Sequence, residues 1–178
     1  MHYSTTYSSP LGIITLACDG SSLVGLWIEG QKYHGVTLED AKDSNCMPVL
    51  DAAKKWLDRY FAGEKPSISE LPLAPDGSEF RQEVWNILCE IPYGEVITYG
   101  EIAKKMAVKM NRIRMSSQAV GGAVGHNPIS IIIPCHRVVG SSGSLTGYAG
   151  GIHIKVKLLE LEGADMSRLF IPTKGTAL

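Results

Sequence analysis

The 178-residue sequence has no apolar run long enough to span a bilayer. Its first residues, Met1-His2-Tyr3-Ser4-Thr5-Thr6, lack the basic start and apolar core of a secretory signal. A cytoplasmic address with no membrane association is expected. Net charge is also nearly absent: 17 Lys and Arg against 18 Asp and Glu leave -1, so any basic surface for a polyanion must be local. Cysteine is sparse and scattered. Cys18, Cys46, Cys89 and Cys135 lie far apart with no C-x-x-C pair, which excludes a disulfide framework or a zinc ribbon and fits free thiols in a reducing compartment. The histidines, His2, His34, His126, His136 and His153, show no spacing that asks for a metal. What remains is an ordinary core-forming composition, 44% apolar and 20% charged, enough for one domain or two small ones.

The densest signal is Asn127-Pro128-Ile129-Ser130-Ile131-Ile132-Ile133-Pro134-Cys135-His136-Arg137-Val138-Val139-Gly140. Residues 131–133, apolar on both faces, predict a fully buried strand. Pro134 cannot donate to a strand ladder and stops it, which delivers Cys135 to the end of a rigid element. A cysteine is most often a small buried hydrophobe. Set between Pro134 and the polar pair His136-Arg137, Cys135 reads instead as a reactive thiol. Neighbours in an extended segment point opposite ways, so a Cys–His partnership needs a tight turn, where the imidazole draws off the thiol proton directly or through a water. A carboxylate on the far ring nitrogen would complete the arrangement. Glu160 and Glu162, on the last predicted helix, are the candidates.

Along the chain, strand signals cover 3–8, 13–18 and 23–28, with turns at Pro10-Leu11-Gly12 and Asp19-Gly20-Ser21-Ser22. Ile14, Leu16 and Cys18 share one face, which places Cys18 in a core. Residues 31–46 read as loop. Val49, Ala52, Ala53, Trp56, Leu57 and Tyr60 recur at helical spacing over 48–61, and Gly63 closes that helix. Pro66, Pro72, Pro75 and Asp76-Gly77 mark a connector. The expected domains are therefore 1–75, a scaffold with its linker, and 76–178. In the second, Ser78 caps a helix carrying Phe80, Val84, Leu88 and Ile91. Thr98-Tyr99-Gly100-Glu101 is a capping box that opens a helix to about Ala107. Further helices are expected from about Ser116 to Gly125 and from Ile152 to Gly163, the loop between them holding Gly143, Gly147, Gly150 and Gly151 around Tyr148. The tail after Ile171 has no periodicity and is expected to be mobile. The fold class is α+β: a small N-terminal sheet-plus-helix domain and a mainly helical C-terminal domain containing a helix-turn-helix.

Lys104, Lys105, Lys109, Arg112 and Arg114 occur with no acidic residue among them. A charge run is usually a solvated face, and contact with nucleic acid is the functional alternative. The helix that follows contains Gly121, Gly122 and Gly125, each costing about 1 kcal/mol relative to alanine. Close packing on a neighbouring element explains them one way. Close approach to a ligand backbone, such as the minor groove of DNA, explains them the other.

Taken together these motifs resemble the O6-alkylguanine-DNA alkyltransferases, which repair methylated DNA by taking the alkyl group onto a cysteine. The resemblance centres on Pro134-Cys135-His136-Arg137-Val138. It extends through Val84-Trp85, Ile91-Pro92-Tyr93-Gly94, Thr98-Tyr99-Gly100, Ala119-Val120-Gly121, Asn127-Pro128, Gly147-Tyr148, Gly150-Gly151 and Leu158-Leu159 with Glu162-Gly163. It implies that Cys135 is the alkyl acceptor, activated by His136 through a water, with Glu162 behind the histidine and Asn127 bracing the turn. Tyr99 would help rotate the nucleotide out and protonate the leaving guanine. Tyr148 would wall the base pocket, the backbone of Ala149 would donate to the guanine oxygen, and the backbone of Val138 would accept from its exocyclic amine. Lys155 would lie near the reacting atoms.

On the same resemblance Gln118, Ala119, Gly121, Gly122, Arg112, Arg114 and Arg137 would bind double-stranded DNA containing O6-alkylguanine through its minor groove, with O4-alkylthymine a second candidate substrate. The protein would act once, as a monomer, with no cofactor and no metal. Flipping is required by the chemistry, because an alkylated base edge is out of reach inside the stack. Two departures stand out. Most members carry an arginine, inserted in place of the flipped base, where this chain has Gln118, which lacks its charge and fork of donors. The stretch 108–115 is longer than the usual turn, and its basic residues are expected to recover affinity. Two rival readings are a non-catalytic lesion-binding protein on the same fold, whose known examples lack the acceptor cysteine, and a cysteine hydrolase using Cys135 and His136. The hydrolase leaves the glycine-rich helix and the basic turn without a purpose.

Overall fold

The computed structural model describes residues 1–32, 38 and 40–173. His34, part of the stretch read as loop, and the end of the expected mobile tail lie outside the described residues. The chain divides into two compact units, Met1–Asp76 with Pro128–Ile132, and Gly77–Asn127 with Ile133–Leu178. The division falls inside the proline-rich connector. The five residues that leave the second half of the sequence to join the first unit had no signal in the sequence.

In the first unit β1 (Tyr3–Ser9), β2 (Gly12–Cys18), β3 (Leu23–Ile28) and β4 (Lys42–Asp43) form a sheet of order β3-β2-β1-β4. β2 runs antiparallel to β1 and β3, and β4 is parallel to β1. β4 falls in the stretch read as loop. It is two exposed polar residues long, too short for any alternation to register. α1 (Pro48–Phe61) buries Val49, Leu50, Ala53, Trp56, Leu57 and Tyr60, the stripe that its helical spacing predicts. β3 stands last in the sheet, yet all six of its residues are buried. Two short parallel bridges cover its outer edge, Leu23 with Leu73 and Leu26 with Ile129. Leu23 N–H donates to Pro72 O at 2.8 Å, and Leu26 N–H donates to Pro128 O at 2.9 Å. The edge therefore presents no template for a foreign strand there. The connector expected as linker is thus tied to the first unit by hydrogen bonds, and Trp56 Nε1 adds one by donating to Ser67 O at 2.8 Å.

The strand expected over 131–133 is a buried turn. Ile131 has φ 71°, and Ile132 N–H donates back to Ser130 O at 2.8 Å, which reverses the chain within three residues. The apolar run marks burial correctly, at 1%, 0% and 2% exposure for Ile131, Ile132 and Ile133. Its β-branched character does not impose a strand where the surroundings over-determine another conformation. A second tight turn follows at Pro134 (φ -82°, ψ 65°), where Cys135 N–H donates to Ile133 O at 2.8 Å. These are the dihedrals of an inverse γ-turn.

The second unit holds α2 (Glu79–Cys89), β5 (Ile97–Thr98), α3 (Tyr99–Lys109), α4 (Ser117–Gly125), β6 (Val138–Val139) and α5 (Ile152–Leu161). Helix starts follow their caps: Ser78 accepts from Arg81 N–H, Ser116 accepts from Ala119 N–H, and both halves of the Thr98–Glu101 capping box are made. α3 runs past Ala107 to Lys109. It closes with Asn111 at φ 52°, Asn111 N–H on Val108 O and Arg112 N–H on Ala107 O, a Schellman ending in which asparagine takes the left-handed position. Trp85 Nε1 donates to Ala123 O at 2.9 Å and ties α2 to α4. β5 and β6 pair in parallel, Ile97 with Val138 and Thr98 with Val139, which sets the start of α3 beside the chain leaving Cys135. Among the described residues no helix is long and apolar enough to cross a membrane.

Candidate active site

Cys135–Arg137 form a single 3-10 turn between Pro134 and β6. With three residues per turn, successive side chains leave it about 120° apart. Cys135, His136 and Arg137 therefore face three different surroundings, although all three are buried.

His136 is fully buried. Its Nε2 lies 2.6 Å from Glu162 Oε2, and its Nδ1 has no hydrogen-bond partner among the described residues. Arg137 grips the same carboxylate with two donors, Nε to Oε1 at 2.7 Å and Nη2 to Oε2 at 3.0 Å. Gly94 N–H adds a longer bond to Oε1 at 3.3 Å. Burial opposes the charged form of Glu162, but the hydrogen bonds and charges of His136 and Arg137 outweigh it and hold the carboxyl well below the usual range. For His136 the balance runs the other way. Burial lowers its affinity for a proton more than the Glu162 contact raises it, so the imidazole rests neutral. An ionised carboxylate only accepts, so the ring proton sits on Nε2 and the lone pair on Nδ1. Glu162 is placed by the end of α5, where Gly163, at φ 72°, closes the helix with bonds to Glu160 O and from Ala164 N–H to Leu159 O. Glu160, the other candidate, is exposed.

Cys135 is 5% exposed. Burial pushes its thiol pKa up, while a hydrogen bond from Asn127, the charge of Lys155 and its own backbone N–H draw it back. Asn127 Nδ2 also donates to Ile133 O at 2.8 Å. Lys155, 1% exposed, donates from Nζ to Val138 O and to Thr146 O. Burial brings its pKa down to about 8 against the opposing pull of Cys135. Tyr99, the first residue of α3, donates its hydroxyl to the same Thr146 carbonyl at 3.1 Å. Burial, with Cys135 adding to it, pushes this phenol up to about 12. The loop can pass so close only because residue 147 is glycine. At φ 78° a Cβ there would lie 2.9 Å from the Tyr99 hydroxyl oxygen.

On α4, Gln118, Ala119 and Gly122 are exposed and Gly121 is half-buried. A Cβ on Gly121 would make ordinary contact with the Tyr99 ring at 3.9 Å, and one on Gly122 or Gly125 would meet nothing within 4 Å. Packing inside the protein does not require these glycines.

Family profiles match both halves of the chain. Residues 79–164 match "6-O-methylguanine DNA methyltransferase, DNA binding domain" and residues 2–75 match "6-O-methylguanine DNA methyltransferase, ribonuclease-like domain". The methylated-DNA–protein-cysteine methyltransferase of Methanosarcina acetivorans is 45% identical over 163 residues, covering 91% of this chain and 99% of that protein. The Haemophilus influenzae protein of the same name is 42% identical over 160 residues, covering 90% and 86%. The chain belongs to the methylated-DNA–protein-cysteine methyltransferase family. In structure it is similar to Mycobacterium tuberculosis OGT solved in complex with DNA, with a TM-score of 0.79, 42% identity and 94% of each chain covered. Membership makes it a DNA-repair methyltransferase, which sets aside both the hydrolase and the non-catalytic lesion binder.

In this methyltransferase the structure gathers Cys135, His136, Glu162, Asn127, Lys155, Val138 and Tyr99 within one unit. Arg137 departs from expectation. Its side chain is 7% exposed; besides Glu162 it holds Ile91 O at 2.7 Å and lies over the Tyr93 ring. It faces inward because a buried carboxylate needs a compensating charge, so it is no contact for DNA. The Val138 carbonyl already receives Lys155, leaving one lone pair for a guanine amine. Tyr148 is buried and Ala149 half-buried, while Arg112 and Arg114 are exposed on the turn before α4. The Thr146 carbonyl, shared by Tyr99 and Lys155, escaped the sequence reading, since a backbone acceptor leaves no mark on residue type. Among the described residues no group of three His, Cys, Asp or Glu side chains could hold a metal ion.

Proposed function

We propose that Cys135 accepts the methyl group from O6-methylguanine in double-stranded DNA, once per molecule, after the base has been flipped into the second unit. The observation that carries this reading is the bare Nδ1 of a buried, neutral His136 whose other nitrogen is held by an ionised Glu162. Such an imidazole is a base aimed by its partner. It makes no direct bond to the thiol, so a single water relays the proton from Cys135 to Nδ1. Sulfur then forms its bond to the methyl carbon as the carbon–oxygen bond breaks, and the electron pair of that bond stays with the guanine. Tyr99, kept protonated by its raised pKa, donates to the leaving base and is reprotonated from the imidazolium. In sum the thiol proton ends on guanine. The thioether has no leaving group, so the molecule works once. O4-alkylthymine, whose oxygen sits in a similar amide, is a second substrate of the same chemistry.

α4 is the element for the minor groove, with Gln118 filling the space of the extruded base. The open sides of Gly122 and Gly125 support this, since a DNA backbone can approach there. The exposed Arg112 and Arg114 supply phosphate contacts that Gln118 lacks the charge to make. The protein works as a cytoplasmic monomer.

Incubation with an oligonucleotide containing O6-methylguanine, followed by intact mass and peptide mapping, tests the reading. The expected result is a stoichiometric gain of one methyl group on the Cys135 peptide, absent in Cys135→Ala. A methyl group on Cys46 or Cys89, or more than one repaired base per protein, would overturn it.

A further inference from the structure

After Asn127 the chain leaves the second unit, gives five residues to the first, and returns at Ile133. The neck of this excursion is tied by Asn127 Nδ2 to Ile133 O, and that carbonyl also accepts Cys135 N–H. The same Asn127 side chain bonds the thiol. The head is held inside the first unit. Leu26 N–H donates to Pro128 O, Ser130 N–H donates to Leu26 O at 3.1 Å, and Ser130 Oγ donates to Gln31 Oε1 at 3.2 Å. Gln31 is 6% exposed and Ser130 1% exposed. Gln31 Oε1 also accepts Ile28 N–H at 2.9 Å, so one side chain fastens the end of β3 to the loop.

Between head and neck stands Ile131 at φ 71°. A β-branched residue in the left-handed region is strained and persists only while its surroundings hold both ends. Neither Gln31 nor Ser130 takes part in the proton path from Cys135 to Glu162. A buried polar pair 99 residues apart in sequence costs desolvation that an apolar pair would avoid, so it needs a purpose.

We propose that Gln31, acting through Ser130, is a positioning residue for methyl transfer. It holds the strained 128–132 loop to the first unit's sheet and so keeps Asn127 on the Cys135 thiol. Without it, Ile131 relaxes toward negative φ, the Ile133 carbonyl turns, and Asn127 loses its grip on sulfur. This rests on the assignment of Cys135 as acceptor.

Gln31→Met keeps the volume and removes the acceptor, whereas Gln31→Glu restores an acceptor for both donors. The readouts are the single-turnover rate with an O6-methylguanine oligonucleotide, its Kd, and the pH at which Cys135 is half-maximally alkylated by iodoacetamide. In Gln31→Met the transfer rate should fall about tenfold or more, as for a displaced reacting group. Kd should stay within about twofold, since residues 129–132 are buried and the loop carries no charged side chain for a phosphate. The alkylation midpoint should move to higher pH, because Asn127 no longer favours the thiolate while Lys155 still does. Gln31→Glu should recover both. If Gln31→Met does not fold, Ser130→Ala, which leaves the Ile28 bond intact, should give the same shift. Wild-type rate in the folded variants would overturn the proposal, as would a slower rate with an unmoved alkylation midpoint. Methyl gain at Cys135 in the wild type together with an unaffected Gln31→Met would sink this inference alone; methyl gain elsewhere would sink the acceptor assignment beneath it.

Discussion

Glu162 decides more of the site than Cys135 does. It orients His136, neutralises Arg137 and receives Gly94, all with its side chain buried. Its carboxyl is held well below its ordinary value of 4.5. A depressed folded pKa stabilises the protein above the unfolded value, and that stability drains away as pH falls below it toward the folded value. Urea midpoints measured from pH 7 downward should therefore fall more steeply below about pH 4.3 in the wild type than in Glu162→Gln. At pH 7 the variant should be less stable by about 3–5 kcal/mol, the cost of leaving a buried charge unpaired, and should transfer methyl groups more slowly. Matching acid limbs would show that Glu162 is not the ionised hub. That a carboxylate should stand behind His136 was legible because the chemistry asks for one, but the residues alone left Glu160 and Glu162 both open, and only the family resemblance singled out Glu162. The direction of Arg137 was not legible, because sequence adjacency carries no information on which way a 3-10 turn throws its side chains.

At the scale of elements, what could be read tracks the chemistry of the ends. Ser78, Thr98 with Glu101, and Ser116 announced three helix starts because caps need particular side chains. β4, β5 and β6 are two residues each, below the length at which alternation exists, and the 131–133 run carried the residue types of a strand into a turn. The glycines of α4 were readable as an anomaly but not as an answer. Space around Gly122 now supplies the test. Gly122→Ala should raise stability by about 1 kcal/mol, since alanine is the better helix former and its methyl meets nothing. It should also weaken lesion binding in a fluorescence anisotropy titration. A more stable variant that binds as well as the wild type would remove α4 from the groove.

For the molecule as a whole, a net charge of -1 conceals a basic turn between α3 and α4. Arg112 and Arg114 are exposed, so replacing both with alanine should leave thermal melting unchanged. Binding should weaken, and the slope of log Kd against log salt should flatten by about one per arginine. Unchanged binding at every salt concentration would assign the affinity elsewhere. The density of prolines from Pro66 to Pro75 lies next to the division between Asp76 and Gly77. The exchange of 128–132 between units was not legible, because it joins residues about a hundred positions apart and no local pattern records such a pairing.

A protein that works once, as we propose for this chain, must also survive the wait. At 5% exposure, with burial keeping sulfur in its protonated form, Cys135 offers peroxide and stray electrophiles little thiolate to attack. On that proposal, the same burial that slows the thiol in isolation would preserve the stock of unspent molecules until damage arrives.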